Sequence, residues 1–187
     1  MYQPFDLSGC GVVVTGGNGG IGLGMARALL ASGAKVSIWG NRAEKTEAAR
    51  AQLAAECGDA SRVHALVCDV GDEAQVDIAF AQSVAAIGNV HACFANAGVS
   101  GKGNMVMDMT LDEFRRVQRI NVEGVFLTFR AAARHIARYR TGGRFRLLAA
   151  HRDFRQGTGR FSRFRRADVL CRCRKTQDCG GRPESGR

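Results

Sequence analysis

The chain has 187 residues, 45% of them hydrophobic, with a formal net charge of +10. A core can be buried at this length, no apolar run approaches the roughly 18 residues of a membrane span, and the N-terminal MYQPFDLSGC lacks a signal's charged-then-apolar order, so a cytoplasmic protein without a membrane partner is expected. The charge suggests nucleic acid only until it is divided: residues 144–187 hold twelve Arg and one Lys against Asp153, Asp168, Asp178 and Glu184, a net +9, while residues 1–143 carry +1.

In chain order, a β-branched run near 11–15 passes directly into Thr15-Gly16-Gly17-Asn18-Gly19-Gly20-Ile21-Gly22. Glycines there permit positive φ and let phosphate oxygens approach the main chain. The helix expected near 20–32 would present its free N–H groups and positive dipole end to an anion, with an apolar stripe of Ile21, Met25, Ala28 and Leu29. Further strands are expected near 34–39, 63–68 and 90–95, and helices near 43–56, 73–87 and 111–138. Strands alternating with helices of this length indicate βαβ units in a doubly wound parallel sheet, whose ligand lies at the carboxyl ends of the strands.

Those ends carry residues that chemistry can use. After the second strand, Gly40-Asn41-Arg42 stands where an acidic residue would grip a ribose 2′-hydroxyl; Arg42 can attract a 2′-phosphate, which leans toward NADP, or simply be a solvated first-turn residue. After the third, Asp69 can accept from an adenine amino group. Its alternative is a helix cap, a task for which Asp72 with Gln75 is better spaced. The fourth ends in Asn96-Ala97-Gly98, where small residues let the backbone pass a nicotinamide ribose and Asn96 can also tie strands together. Thr110 with Glu113 opens the last helix, whose stripe follows Phe114, Val117, Val125 and Thr128. Asn121 falls on that stripe, either satisfied by nearby backbone or functional. Cys10, Cys68 and Cys93 are expected in buried strands and Cys57 at a helix end, all reduced; Cys171, Cys173 and Cys179 lack a zinc site's pairing, so no metal is expected.

Together, TGGNGGIG, Cys68-Asp69-Val70, Asn96-Ala97-Gly98 and Asn121-Val122-Glu123-Gly124 closely resemble the short-chain dehydrogenase/reductase family over about residues 5–143. The resemblance implies a Rossmann-like fold, NAD or NADP, hydride transfer with a small-molecule carbonyl or alcohol, and a homo-oligomer. It would place the pyrophosphate on Gly16, Asn18, Gly20, Ile21 and Gly22, the adenine on Asp69 and Val70, and the nicotinamide half beside Asn96 and Gly98. Asn121 matches the asparagine that orders a water in the family's proton relay. Ala95 stands where a second Asn is usual, and Gly19 where NADP-preferring members often carry a basic residue.

The resemblance stops at Arg144. The family continues with a serine strand and then Tyr-x-x-x-Lys, expected here near Ala150 and Arg163; the only tyrosines are Tyr2 and Tyr139, and no Tyr-x-x-x-Lys occurs. Residues 145–187 contain one Val and no Ile, and neither period 2 nor period 3.6 persists. An irregular, poorly ordered tail is expected, read as a frameshift or truncation in preference to a basic arm for nucleic acid, because its Arg residues are scattered among Cys, Gly and Asp. Domains of 1–143 and 144–187 follow, with only the cofactor half of an oxidoreductase present.

Overall fold

The computed structural model describes residues 6–102 and 106–139. The expected tail and the boundary at residue 143 lie outside them. Four strands, β1 (Gly11–Thr15), β2 (Lys35–Gly40), β3 (Val63–Val67) and β4 (Val90–Phe94), alternate with helices α1 (Gly20–Ala31), α2 (Ala43–Cys57) and α3 (Glu73–Ile87), and α4 (Leu111–Gln118) and α5 (Gly124–Tyr139) follow. All strands pair in parallel, in the order β3-β2-β1-β4. This is the doubly wound Rossmann-like sheet that the alternation of elements predicts.

Strand periodicity sorts the core into two layers. Val12 and Val14 join Ala26 and Leu30 of α1 and Ala49 and Leu53 of α2 on one face. Val13 points the other way, to Val76, Ala79 and Phe80 of α3 and Leu127, Ala131 and Ala132 of α5. Because β1 is covered on both sides it reads as an unbroken apolar run. Each fully buried Val or Leu contributes about 1.5–3 kcal/mol.

Three expectations are corrected. On α1 the buried residues are Gly22, Ala26 and Leu30, one position round from the anticipated stripe, and Ile21 is 48% exposed. The helix is apolar on nearly every side, so periodicity could not choose a face, and the sheet selected the one with the smallest residues. The helix expected over 111–138 is interrupted: residues Arg119–Glu123 form a π turn in which the N–H of Gly124 donates to the carbonyl of Arg119. The wider turn brings Gly124 against Val70, where a Cβ would lie 2.7 Å from Val70 Cγ2. On that helix Thr128 is buried but Phe114 is 49% exposed. Finally, Cys68 and Cys93 are buried, whereas Cys10 is only partly so and precedes β1.

Both predicted caps form. Asp72 Oδ1 accepts from the N–H of Gln75 at 3.1 Å, and Thr110 Oγ1 from that of Glu113 at 3.2 Å. Neither box makes the return bond to its cap residue's own N–H, although Gln75 Nε2 donates to Asp72 Oδ2 at 3.0 Å. Gln75 Oε1 instead accepts from the N–H of Asp69, and Glu113 from that of Lys102, so each cap fastens the loop that enters its helix.

Candidate cofactor-binding site

The strand order changes direction between β1 and β4, which opens a crevice at their carboxyl ends. Thr15 closes its floor. Its Oγ1 accepts from the N–H groups of Asn96 (3.0 Å) and Ala97 (2.9 Å), and Asn96 Nδ2 donates to the carbonyl of Thr15 at 3.1 Å. The strand-tying role open to Asn96 is therefore real. Its other amide atom, Oδ1, is buried and accepts no hydrogen bond among the described residues.

Above this floor the turn into α1 leaves no room for side chains. Gly16 has φ 65°, and a Cβ on it would sit 3.0 Å from Ala97 Cα. A Cβ on Gly22 would overlap the carbonyl oxygen of Gly16 and lie 2.5 Å from Asn96 Nδ2. The result is a closely packed turn without side chains at a helix N-terminus, where an anion can approach the main chain. Glycines that no side chain could replace, at the N-terminus of a helix that follows a strand, fit a pyrophosphate.

At the end of β2, Asn18 Nδ2 donates to Thr46 Oγ1 (3.0 Å), whose hydroxyl donates to the carbonyl of Arg42 (2.7 Å). Asn41 and Arg42 are exposed beside them, Arg42 as the N-cap of α2. After β3, Asp69 is held on both oxygens: Oδ1 accepts from the N–H of Gly71 (2.9 Å) and Oδ2 from Arg119 Nη2 (2.8 Å). Sequence reasoning missed Arg119, which is fifty residues away and carries no local signal. Val70 is buried, which leaves only its main chain for a ligand.

Asn121, in the π turn, uses its whole amide on one residue: Oδ1 accepts from the N–H of Val99 (2.8 Å) and Nδ2 donates to its carbonyl (2.9 Å). A Cβ on Gly98 would lie 3.3 Å from Asn121 Oδ1, so the structure brings Gly98 and Asn121 together. The structural alternative for this amide is thus realised, with the residue itself exposed.

Proton-transfer groups are scarce here. Burial, together with the carboxylates of Asp69 and Asp72, pushes the Cys68 thiol up to about 12, and burial pushes Cys93 to about 12; neither is a thiolate near neutral pH. His91 accepts from the N–H of Gly11, and that of Val90 donates to His135, which puts both at the amino ends of the strands, opposite the crevice. His64 lies near the same end of β3.

A parallel α/β sheet with a glycine turn at its switch point is the architecture on which many α/β proteins hold a dinucleotide. The family model described as short chain dehydrogenase matches residues 11–144, and the chain belongs to that family. It is 40% identical to levodione reductase of Leifsonia aquatica over 116 residues, which are 62% of this chain but 43% of that protein. Versicolorin reductase stcU of Emericella nidulans is 34% identical over 181 residues, covering 94% of this chain and 66% of its own length, an alignment that runs past residue 144. A short-chain type dehydrogenase/reductase structure from Mycobacterium marinum superposes with a TM-score of 0.70 at 33% identity, over 75% of this chain and 56% of that one. The chain spans less than half the length of levodione reductase.

Proposed function

We propose that this chain binds NAD or NADP, with NADP favoured, across the crevice between β1 and β4, and that its 187 residues do not by themselves carry out the carbonyl–alcohol interconversion of the family. The observation that supports binding is the turn: Gly16 and Gly22 lie where any Cβ would clash, so the main chain stands bare at the N-terminus of α1. When bound, the nicotinamide supplies or accepts a hydride. This chain's own contribution is to seat the pyrophosphate on the N–H groups of Gly16, Asn18, Gly20, Ile21 and Gly22, to carry the main chain of Asn96, Ala97 and Gly98 past the nicotinamide ribose, and to hold the adenine near Asp69 and Val70.

The missing chemistry is acid–base. No Tyr-x-x-x-Lys occurs in the sequence, and among the described residues no histidine or reactive thiol faces the crevice. General acid catalysis alone supplies about 10²–10⁴-fold, and groups acting as a unit fail together. Asn121 cannot substitute, because an amide is neither a useful acid nor a useful base near neutral pH.

Calorimetric titration of the full chain with NAD and NADP tests binding. An assay on a panel of ketones and secondary alcohols tests chemistry, run beside a chimera in which residues 144 onward are exchanged for the corresponding segment of levodione reductase. Binding by both proteins with turnover only in the chimera is the expected result. Turnover by the unaltered chain would overturn the reading and require another acid within its 187 residues.

A further inference from the structure

We propose that His91 and His135 form an acid-sensitive latch at the amino edge of the sheet, fastening the start of β1 and the last turns of α5 to β4 only while both imidazoles are neutral. The latch lies opposite the crevice and is independent of dinucleotide binding. The first rung between β1 and β4 joins Gly11 to Val90, after which the register slips and Val12 faces Ala92. His91 is the extra residue on β4. Its own side chain fills the slip, with Nδ1 accepting from the N–H of Gly11 at 3.1 Å. The N–H of Val90, the other residue of that rung, donates to His135 Nε2 of α5 at 3.3 Å. Both donors of the rung therefore end on imidazole nitrogens, where a sheet ladder ordinarily supplies carbonyl oxygens that do not titrate.

A ring nitrogen accepts only when it carries no proton. Protonation turns each acceptor into a donor facing an N–H group, and two cations then share one end of the sheet. His135 is buried, its ring 5.6 Å from that of Phe80. Burial, followed by the charges of His91 and Arg138, lowers its pKa from 6.5. For His135 the stabilisation is thus complete above pH 6.5 and is lost as the pH falls through the lowered folded value.

No acid near this end answers the added charge among the described residues. On α3, positions 78–88 hold no ionisable side chain, and β1 holds none from Gly11 to Thr15, with Cys10 just before it. On α5, Arg138 adds a further cation, and Arg134 lies 4.0 Å from Asp77. Lys35, the partner of Gly11 on β2, is another exposed cation. The acids beyond are engaged elsewhere: Asp59 pairs with Arg62 at 3.5 Å, and Asp6 accepts from the N–H of Ser8. Because His135 stands one turn before the end of α5 at Tyr139, its release frees that end of the helix first.

The test is amide hydrogen exchange read by NMR on the full-length chain, with rates expressed as protection factors so that the intrinsic pH dependence of exchange is removed. Between pH 7.5 and pH 4.5 the N–H groups of Gly11, Val90 and Ile136 should lose at least about tenfold in protection, the size expected when an N–H loses its acceptor. Those of Val13 and Ile38, in the middle of the sheet, should change by less than about twofold. His91→Asn sets an amide oxygen where Nδ1 stands and His135→Gln one where Nε2 stands, acceptors that do not titrate, so the double variant should keep its protection at pH 4.5. An equal loss in the double variant overturns the proposal. So does wild-type protection that holds down to pH 4.5, or that falls evenly over Gly11, Val13 and Ile38, results that require no variant to fold.

Discussion

The crevice between β1 and β4 and the corner between β2 and α2 serve the same expected ligand with opposite construction. In the crevice, Thr15 Oγ1 serves two N–H groups, Asn96 is tied back to Thr15, and Gly22 lies so close to Gly16 that no side chain fits between them. At the corner, the polar chain from Asn18 through Thr46 is fixed, but the charges that face outward, Arg42 and Lys45, sit on long exposed side chains. A pyrophosphate is common to every dinucleotide and can be met by rigid backbone. A 2′-phosphate distinguishes one dinucleotide from another, and under the proposed reading exposed side chains at the corner would make that distinction.

This contrast can be broken most directly at Gly22. A Gly22→Val substitution forces a branched side chain onto the Gly16 carbonyl and is expected to cost about 3 kcal/mol, which for a domain of this size lowers Tm by roughly 6–12 °C and abolishes nucleotide binding. The transition can be followed through Trp39, which is fully buried and donates to Ser83 Oγ. A variant melting within a degree or two of wild type would mean that the crevice is as adaptable as the corner. Next in size, Thr15→Val keeps the shape of the side chain but leaves the N–H groups of Asn96 and Ala97 without their acceptor. A loss of about 2 kcal/mol is expected in denaturant unfolding, and an equal loss from Thr46→Val would erase the difference between the two sites.

Stability should also fall with acid in two stages, neither arising at the corner. Burial lowers the pKa values of His64 and His135 from 6.5, so the folded state favours the neutral rings. That contribution is complete above pH 6.5 and is lost as the pH falls through the lowered folded values. Glu113, held at about 2 chiefly by Arg116 and further by the N–H of Lys102, contributes above its ordinary 4.5 and loses that contribution between 4.5 and about 2. Melting temperatures measured from pH 8 to pH 3 should show both declines, and His135→Gln should shrink only the first. The smallest effect is expected from Asn121→Ala: about 1 kcal/mol of stability from the lost Val99 contacts, with nucleotide affinity unchanged within about twofold. A tenfold fall in affinity would extend the binding surface from the crevice to the π turn.

Much of this was legible because the signals are local. The strand positions, the glycine turn and the caps at Asp72 and Thr110 depend on residues within a few positions of each other, and the structure reproduces them to within a residue or two. The face of α1 was not legible, because Gly20–Ala31 is apolar almost all round and only the close approach of Gly22 to Gly16 selects the buried side. The break in the last helix was equally hidden. It depends on Gly124 against Val70 and Asn121 against Val99, partners 54 and 22 residues away along the chain.

By itself, then, the sequence determined the parallel α/β architecture, the family resemblance carried by TGGNGGIG and the absence of Tyr-x-x-x-Lys, since periodicity, glycine placement and residue identity need no knowledge of distant contacts. Only the tertiary structure decided that Asn96 keeps one amide atom without a partner among the described residues, that Arg119 holds Asp69, and that Asn121 spends its amide on Val99. Each of those facts joins residues that become neighbours only when βαβ units stack, because folding in three dimensions sets hydrogen-bond and charge partners without regard to separation along the chain.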